Sequence, residues 1–128
     1  MGLENKRIIV IDDTAAIRTF LRISLEAQGV RFFEAATAAT GIKLCQELQP
    51  DIVVLDLGLP DRDGMEILPD IKLSRQNTDT SPAIVVLTVR KEQQVRDRAM
   101  AMGADAYLTK PFVMDDLLDI IREKSAVI

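Results

Sequence analysis

Four apolar runs in this sequence each give way to a residue suited to handling charged oxygen. Asp12 and Asp13 follow the run at 8–11, Asp56 follows 52–55, Thr88 follows 83–87, and Thr109-Lys110-Pro111 follows 106–108. Carboxylates gathered within a few ångströms repel one another by a few kcal/mol per pair at an effective dielectric of about 20. A cluster of three therefore persists only beside a cation or with a raised pKa, and one lysine is not enough to neutralise it. A magnesium ion suits all-oxygen ligands, keeps several waters, and takes one or two carboxylates together with a phosphate oxygen. The remaining groups suit phosphoryl transfer. A carboxylate serves as nucleophile and forms an acyl phosphate, while metal, lysine and hydroxyl hold the equatorial oxygens.

The elements that position these residues are legible as five alternations of strand-like and helix-like pattern. The run at 8–11 precedes a helix over 14–28, with Ile17, Phe20, Leu21, Ser24 and Leu25 at helical spacing and Gly29 closing it. A weaker strand at 30–33 leads to a helix capped by Thr37, carrying Ile42, Leu44, Cys45 and Leu48 and ended by Pro50. The third run, at 52–55, opens into a loop with Gly58, Pro60 and Gly64 and then a helix through Ile67, Leu68 and Ile71. Residues 76–81 are polar and turn-like. The fourth run precedes a helix from about Glu92 to Met102 that stops at Gly103, and the fifth precedes a helix over 113–124 with Met114, Leu117, Leu118 and Ile121 on one face. Strands one, three and four are apolar on consecutive residues, the pattern of strands covered by helices on both faces. Five β-then-α units imply an α/β fold with a parallel, doubly wound sheet. In such sheets function gathers at the carboxyl ends of the strands, near the switch in strand order.

Singly, each of the strand-end residues has an ordinary structural reading. Asp12, Asp13 or Thr14 reads as a helix N-cap, Asp56 as a turn residue, Thr88 as a strand-end hydroxyl and Lys110 as a solvated charge. Those readings leave unexplained why four separate stretches deliver such groups to one rim.

Composition narrows the chemistry. The 128 residues suit one domain (1–128, with a core of about 6–124) whose apolar half is sufficient for an ordinary core. Sixteen basic and 20 acidic residues give a net charge of −4, which argues against direct nucleic-acid binding. There is no histidine, so histidine-based acid–base chemistry and most zinc sites are excluded. The lone Cys45 sits in a helical pattern and reads as a buried thiol in a reducing compartment. No signal peptide is visible, and no apolar stretch nears the roughly 20 residues that span a bilayer, so the expected location is cytoplasmic. Nucleotide fingerprints of the GxGxxG and GxxxxGK[ST] kinds are lacking.

The set Asp12-Asp13, Leu55-Asp56-Leu57-Gly58-Leu59-Pro60 with Gly64, Leu87-Thr88 and the stretch from Gly103 to Phe112 resembles the receiver domain of bacterial two-component response regulators. The resemblance covers about residues 6–124. The stretches 16–41 and 57–64 most resemble receivers of winged-helix regulators of the OmpR/KdpE type, yet no DNA-binding domain follows within these residues. A single-domain receiver and part of a longer regulator are both compatible readings. The resemblance implies a flavodoxin-like (βα)5 fold with strand order 2-1-3-4-5. It implies Asp56 as phosphoacceptor and Mg2+ or Mn2+ as cofactor. Asp13 would be a direct ligand, Asp12 would act largely through metal-bound water, and the Gly58 carbonyl would be a further ligand. Thr88 and Lys110 would hold the phosphoryl group, Pro111 would be the cis-proline that aims the lysine, and Tyr107 would be an aromatic switch turning inward when Thr88 moves. The donor it implies is a phosphohistidine on a sensor kinase or phosphotransfer protein, with metal-dependent self-phosphorylation and slow dephosphorylation. The output it implies is a changed face over residues 92–122 that binds a partner or a second copy, with Arg96, Asp97, Arg98, Asp105, Asp115 and Asp116 on or near it.

Three features depart from that pattern. Val89 follows Thr88 where a smaller residue is usual, and is expected to crowd the phosphoryl site and slow access of small donors or water. Arg90 is a long cation near the mouth, with an ordinary reading as a solvated helix-start residue. Thr14 stands where an acidic or amide residue is common. Two other functions compete. An aspartate-based phosphohydrolase needs an acid two residues after its nucleophile, and Gly58 stands there. A constitutive adaptor that never takes phosphate sits poorly with the intact set of Asp12, Asp13, Asp56, Thr88 and Lys110.

Overall fold

A computed structural model describes residues 2–74 and 81–125, so most of the expected turn at 76–81 lies outside the described residues. The elements run β1 (Arg7–Ile11), α1 (Ala15–Glu26), β2 (Arg31–Ala35), α2 (Ala38–Leu48), β3 (Ile52–Leu55), α3 (Gly64–Lys72), β4 (Ala83–Thr88), α4 (Gln93–Ala101), β5 (Ala106–Thr109) and α5 (Met114–Ser125). All four strand pairings are parallel, and the sheet order is β2-β1-β3-β4-β5. The order reverses between β1 and β3, so their carboxyl ends border the crevice where ligands of such sheets bind.

Consecutive apolar residues along the central strands serve opposite faces, because strand side chains alternate. Ile9, Ile11, Val53, Leu55, Ile84 and Val86 enter one core with Met65, Ile67, Leu68 and Ile71 of α3 and Cys45 of α2. Ile8, Val10, Ile52, Val54, Val85 and Leu87 enter the other with Leu21 and Leu25 of α1 and Leu117, Leu118 and Ile121 of α5. Burial pushes the Cys45 thiol up to about 12, keeping it neutral and inert. Helix α2 lies close on β1 because a Cβ at Gly41 would meet the Ile11 side chain at 2.6 Å.

Some local expectations shift. The second strand lies later than expected, at Arg31–Ala35. Phe20, at helical spacing with Leu21 and Leu25, is 47% exposed, and its ring lies 6.1 Å from that of Phe112 between centroids, tilted by 56°. Asp105, grouped with the outer charges of the last helices, turns the other way. It accepts from Lys72 Nζ at 2.6 Å and from the Ile84 amide at 2.8 Å.

Candidate functional site

The sheet's hydrogen-bonding pattern continues past the strand ends and carries the polar residues with it. The Asp12 amide donates to the Ala35 carbonyl at 3.0 Å, the Asp56 amide to Ile11 at 2.9 Å, and the Lys110 amide to Thr88 at 2.8 Å. The backbone of each residue is thus fixed by its neighbour strand, leaving only side-chain torsions free. Residues 98 and 54 positions apart in sequence meet here: Lys110 Nζ donates to Asp12 Oδ2 at 2.7 Å and to Asp56 Oδ2 at 3.2 Å.

Asp12 and Asp56 are buried and Asp13 is exposed, and the three offer carboxylate oxygens within 4.8 Å of one another. Asp12 Oδ1 also accepts the Thr14 amide at 2.8 Å. Thr14 occupies the N-cap position of α1, but its side chain makes no capping bond. Arg18 of α1 donates to the Asp12 carbonyl at 2.8 Å and to Glu34 at 2.7 Å, tying the helix to the acidic turn. Burial works against the charge of Lys110, but the hydrogen bond and charge of Asp12, joined by those of Asp56, outweigh it and hold the ammonium above its usual range. One ammonium against three carboxylates leaves two negative charges uncompensated. The donor set is entirely hard oxygen and lacks sulfur and imidazole, which fits a divalent cation of the magnesium or manganese kind. The Lys110–Pro111 bond is cis, as expected.

The loop after β3 is closely braced. Asp56 Oδ1 accepts the Gly58 amide at 3.1 Å, the Gly64 amide returns to the Leu57 carbonyl at 2.8 Å, and Gly58 and Asp63 form an antiparallel bridge. A Cβ at Gly64 would lie 2.6 Å from the Asp56 carbonyl oxygen and 2.7 Å from Leu57 Cα, so only glycine lets α3 start so near the Asp56 backbone. Asp63 caps α3 through the Met65 amide at 2.9 Å. Asp61 reaches α2, accepting the Ala38 and Ala39 amides at 2.8 and 3.0 Å, and those two bonds hold its carboxyl below the usual range.

On the other side of the pocket, Thr88 is fully buried at the end of β4. Arg90 is not a solvated helix-start residue. It precedes α4, and its guanidinium grips both oxygens of Asp63 at 3.1 and 3.0 Å. Tyr107 is buried to 5% exposure, and its hydroxyl donates to the Arg90 carbonyl at 2.6 Å. The Arg96 guanidinium lies 5.8 Å from the Tyr107 ring centre. Burial raises the Tyr107 phenol, with Arg90 opposing. Val89 is 69% exposed between these groups.

The residues singled out in the sequence thus meet on one rim, and comparison with known proteins says what such a rim belongs to. Residues 8–122 match the model of the response regulator receiver domain. The chain belongs to that family. This receiver is 39% identical to the KDP operon transcriptional regulatory protein KdpE of Escherichia coli (strain K12) over 115 residues, covering 90% of this chain and 49% of the relative. The chain therefore spans about half the length of that curated relative. A CheY-like receiver domain protein from Methanospirillum hungatei JF-1 superposes with a TM-score of 0.87 at 30% identity, over 96% of this chain and 95% of that one. The beryllofluoride-activated NtrC4 receiver domain dimer gives 0.84 at 28% identity, over 94% and 96%. The receiver is a phosphorylation-dependent signalling module of the two-component type, with the flavodoxin-like order expected for it. Among the described residues, no helix is long and apolar enough to cross a membrane.

Asp61 and the Arg90–Asp63 pair were not singled out as site residues in the sequence. Asp63 immediately before an apolar helix is a readable N-cap signal. The partners of Asp61 and Arg90 lie 22 to 27 residues away and leave no local trace.

Proposed function

We propose that this receiver accepts a phosphoryl group on Asp56 from a phosphohistidine of a sensor kinase or phosphotransfer protein, in a reaction that requires Mg2+ or Mn2+. The observation that carries the reading is the convergence of Asp12, Asp13 and Asp56 with Lys110 at hydrogen-bonding distance from two of them. A carboxylate oxygen of Asp56 attacks phosphorus. The O–P bond forms as the N–P bond of the donor breaks, and the electron pair leaves on the donor imidazole. Asp12, Asp13, Asp56 and the Gly58 carbonyl would hold the cation, which when bound neutralises the acids and the incoming phosphoryl charge. Lys110 turns from carboxylate to phosphoryl oxygen, and the Thr88 hydroxyl donates to another. Pro111 supports the lysine, and Tyr107, already buried with its hydroxyl on the Arg90 carbonyl, is the aromatic of the switch with Thr88.

Switching from one inactive state to one active state, from about 1:99 to 99:1, takes about 5.5 kcal/mol of differential interaction. Two charge-assisted contacts from Thr88 and Lys110, with a bridging cation, supply interactions of that order. The output face spans residues 92–122, binds a partner or a second copy, and works within one receiver unit of about residues 6–124 in the cytoplasm. The beryllofluoride-activated dimer among the structural relatives favours the second copy.

The test mixes the chain with magnesium and beryllofluoride or a small phosphodonor, and compares it with Asp56→Asn by intact mass, spectroscopy and sizing. A metal-dependent mass gain of one phosphoryl group, absent in Asp56→Asn, is the expected result. A chain inert to every donor tried, or modified equally in the variant, contradicts it.

A further inference from the structure

The loop that carries Gly58 has its tip tied to a helix that contributes nothing else to the pocket. Helix α2 begins with three amides lacking partners within the helix, at Ala38, Ala39 and Thr40. The Thr40 amide is taken by the Thr37 side chain at 3.2 Å, the ordinary local cap. The other two go to the two oxygens of Asp61, which arrives from the loop after β3. Two caps thus satisfy the same helix end, but only one of them crosses to the loop. The same loop is closed at its base by the Gly58–Asp63 bridge and by Gly64 on Leu57, and Gly58 donates to Asp56 Oδ1. Beyond that base the tip bears Arg62, 3.9 Å from Glu66 and 4.0 Å from Asp70 on the exposed side of α3, and Asp61, whose bonds cross to α2.

We propose that Asp61 is a positioning residue for the cation site: by fastening the loop tip to the start of α2, it fixes where the Gly58 carbonyl faces relative to Asp13 and Asp56. This rests on the reading of the acidic pocket as a divalent-cation site. Asp61 does not touch the cation. It acts through the backbone between residues 58 and 61, as outer groups that orient metal ligands do. Its paired acceptance of two amides makes the anchor two-pointed, so the loop tip is held against rotation as well as translation.

The test measures magnesium affinity of the full chain by calorimetry, and metal-free amide exchange at Gly58 and Leu59. Asp61→Ala is expected to weaken magnesium binding about 10-fold, within the range of lost supporting contacts, and to speed exchange at those two amides. Thr37→Ala removes a cap from the same helix end and is expected to leave affinity within about 2-fold. Asp61→Asn keeps one acceptor without the charge and is expected to retain most of the affinity. Equal weakening by Asp61→Ala and Thr37→Ala would reduce Asp61 to a helix cap and overturn the proposal. Equal weakening by Asp61→Asn and Asp61→Ala would assign the effect to charge and overturn it too, as would unchanged affinity in Asp61→Ala. If the wild-type chain binds no magnesium, the pocket reading fails and this proposal falls with it. If the wild type binds and Asp61→Ala binds equally, only the positioning role is lost.

Discussion

The loop after β3 and the loop after β4 border the same pocket but are held by different kinds of bond. The first leads into α3, which buries Gly64, Met65, Ile67, Leu68 and Ile71 and is capped by Asp63. It is braced at its base by backbone bonds and at its tip by Asp61. The second leads into α4, which buries Ala99 alone and has no side-chain cap. It is held by the Arg90 grip on Asp63 and by the Tyr107 hydroxyl on the Arg90 carbonyl. Apolar burial opposes displacement over a whole helix face, whereas a half-exposed ion pair is worth up to about 1 kcal/mol. The pocket therefore has a fixed half, the loop after β3 with Asp56 at its start, and a movable half, the loop after β4 that begins beyond the strand-paired Thr88. A two-state element with low local stability is what a switch requires.

The largest expected effect falls on the bridge between the halves. Lys110→Ala leaves Asp12 and Asp56 facing each other without the ammonium, and should slow phosphorylation about 100-fold, the scale of one lost charge-stabilising group. It should also lower stability by about 3 kcal/mol in the absence of metal, as expected when a buried ion pair loses one partner. Stopped-flow phosphorylation and denaturant unfolding check the two; a rate within a few-fold of wild type would detach Lys110 from the chemistry. Gly64→Ala tests the fixed half. The added Cβ must displace the Asp56 or Leu57 backbone, and a loss of about 2 kcal/mol in urea unfolding is expected. Unchanged stability would mean that the loop yields, contrary to a braced structure.

Alkaline titration comes next. The Lys110 pKa is raised in the folded chain, so its contribution is intact below the unfolded value and lost as pH rises through the folded one. Cys45 stays neutral up to about 12 when buried but ionises from about 9 when unfolded, so folding loses free energy across that interval. Both signs agree, at up to about 1.4 kcal/mol per pH unit for each group. Unfolding monitored by circular dichroism should show stability falling above pH 9, and Cys45→Ala should flatten the onset. A flat profile from pH 9 to 11 would contradict the burial account.

Arg90→Ala tests the movable half. Loss of the partly exposed pair should cost at most about 1 kcal/mol in global stability, yet speed amide exchange around residues 89–92 and move the Tyr107 ring resonances. If α3 residues respond as strongly as α4 residues, the division into two halves is wrong. The smallest effect belongs to Val89→Ala, which should shorten the aspartyl-phosphate lifetime by a few-fold if the exposed valine screens the mouth. Equal lifetimes would remove Val89 from the account.

The strand ends that deliver the acids and Thr88 are more legible in sequence than the two loops beyond them. Consecutive apolar residues at 8–11, 52–55 and 83–87 betray strands covered on both sides, and the rule for strand ends then nominates Asp12, Asp13, Asp56 and Thr88 without reference to tertiary contacts. Thr37 at the start of α2 was readable for the same local reason. What escaped depends on pairs far apart in the chain. Nothing near Asp61 points to Ala38, and nothing near Arg90 points to Asp63. The helix pattern of α1 placed Phe20 with Leu21 and Leu25 by spacing, but the buried stripe is narrower than the apolar one and leaves that ring half out. Thr14 holds the cap position without a side-chain bond to the helix, while its own amide donates to Asp12.

Manganese titration followed by paramagnetic broadening of amide resonances measures the shared pocket without relying on turnover. Signals of Asp12, Asp13, Asp56 and Gly58 should vanish together at the lowest manganese additions, with Thr88 and Lys110 close behind and magnesium restoring them all. Broadening that spares the residues after β1 or those after β3, or that scatters over the acidic surface, would mean that these carboxylates do not hold one cation between them.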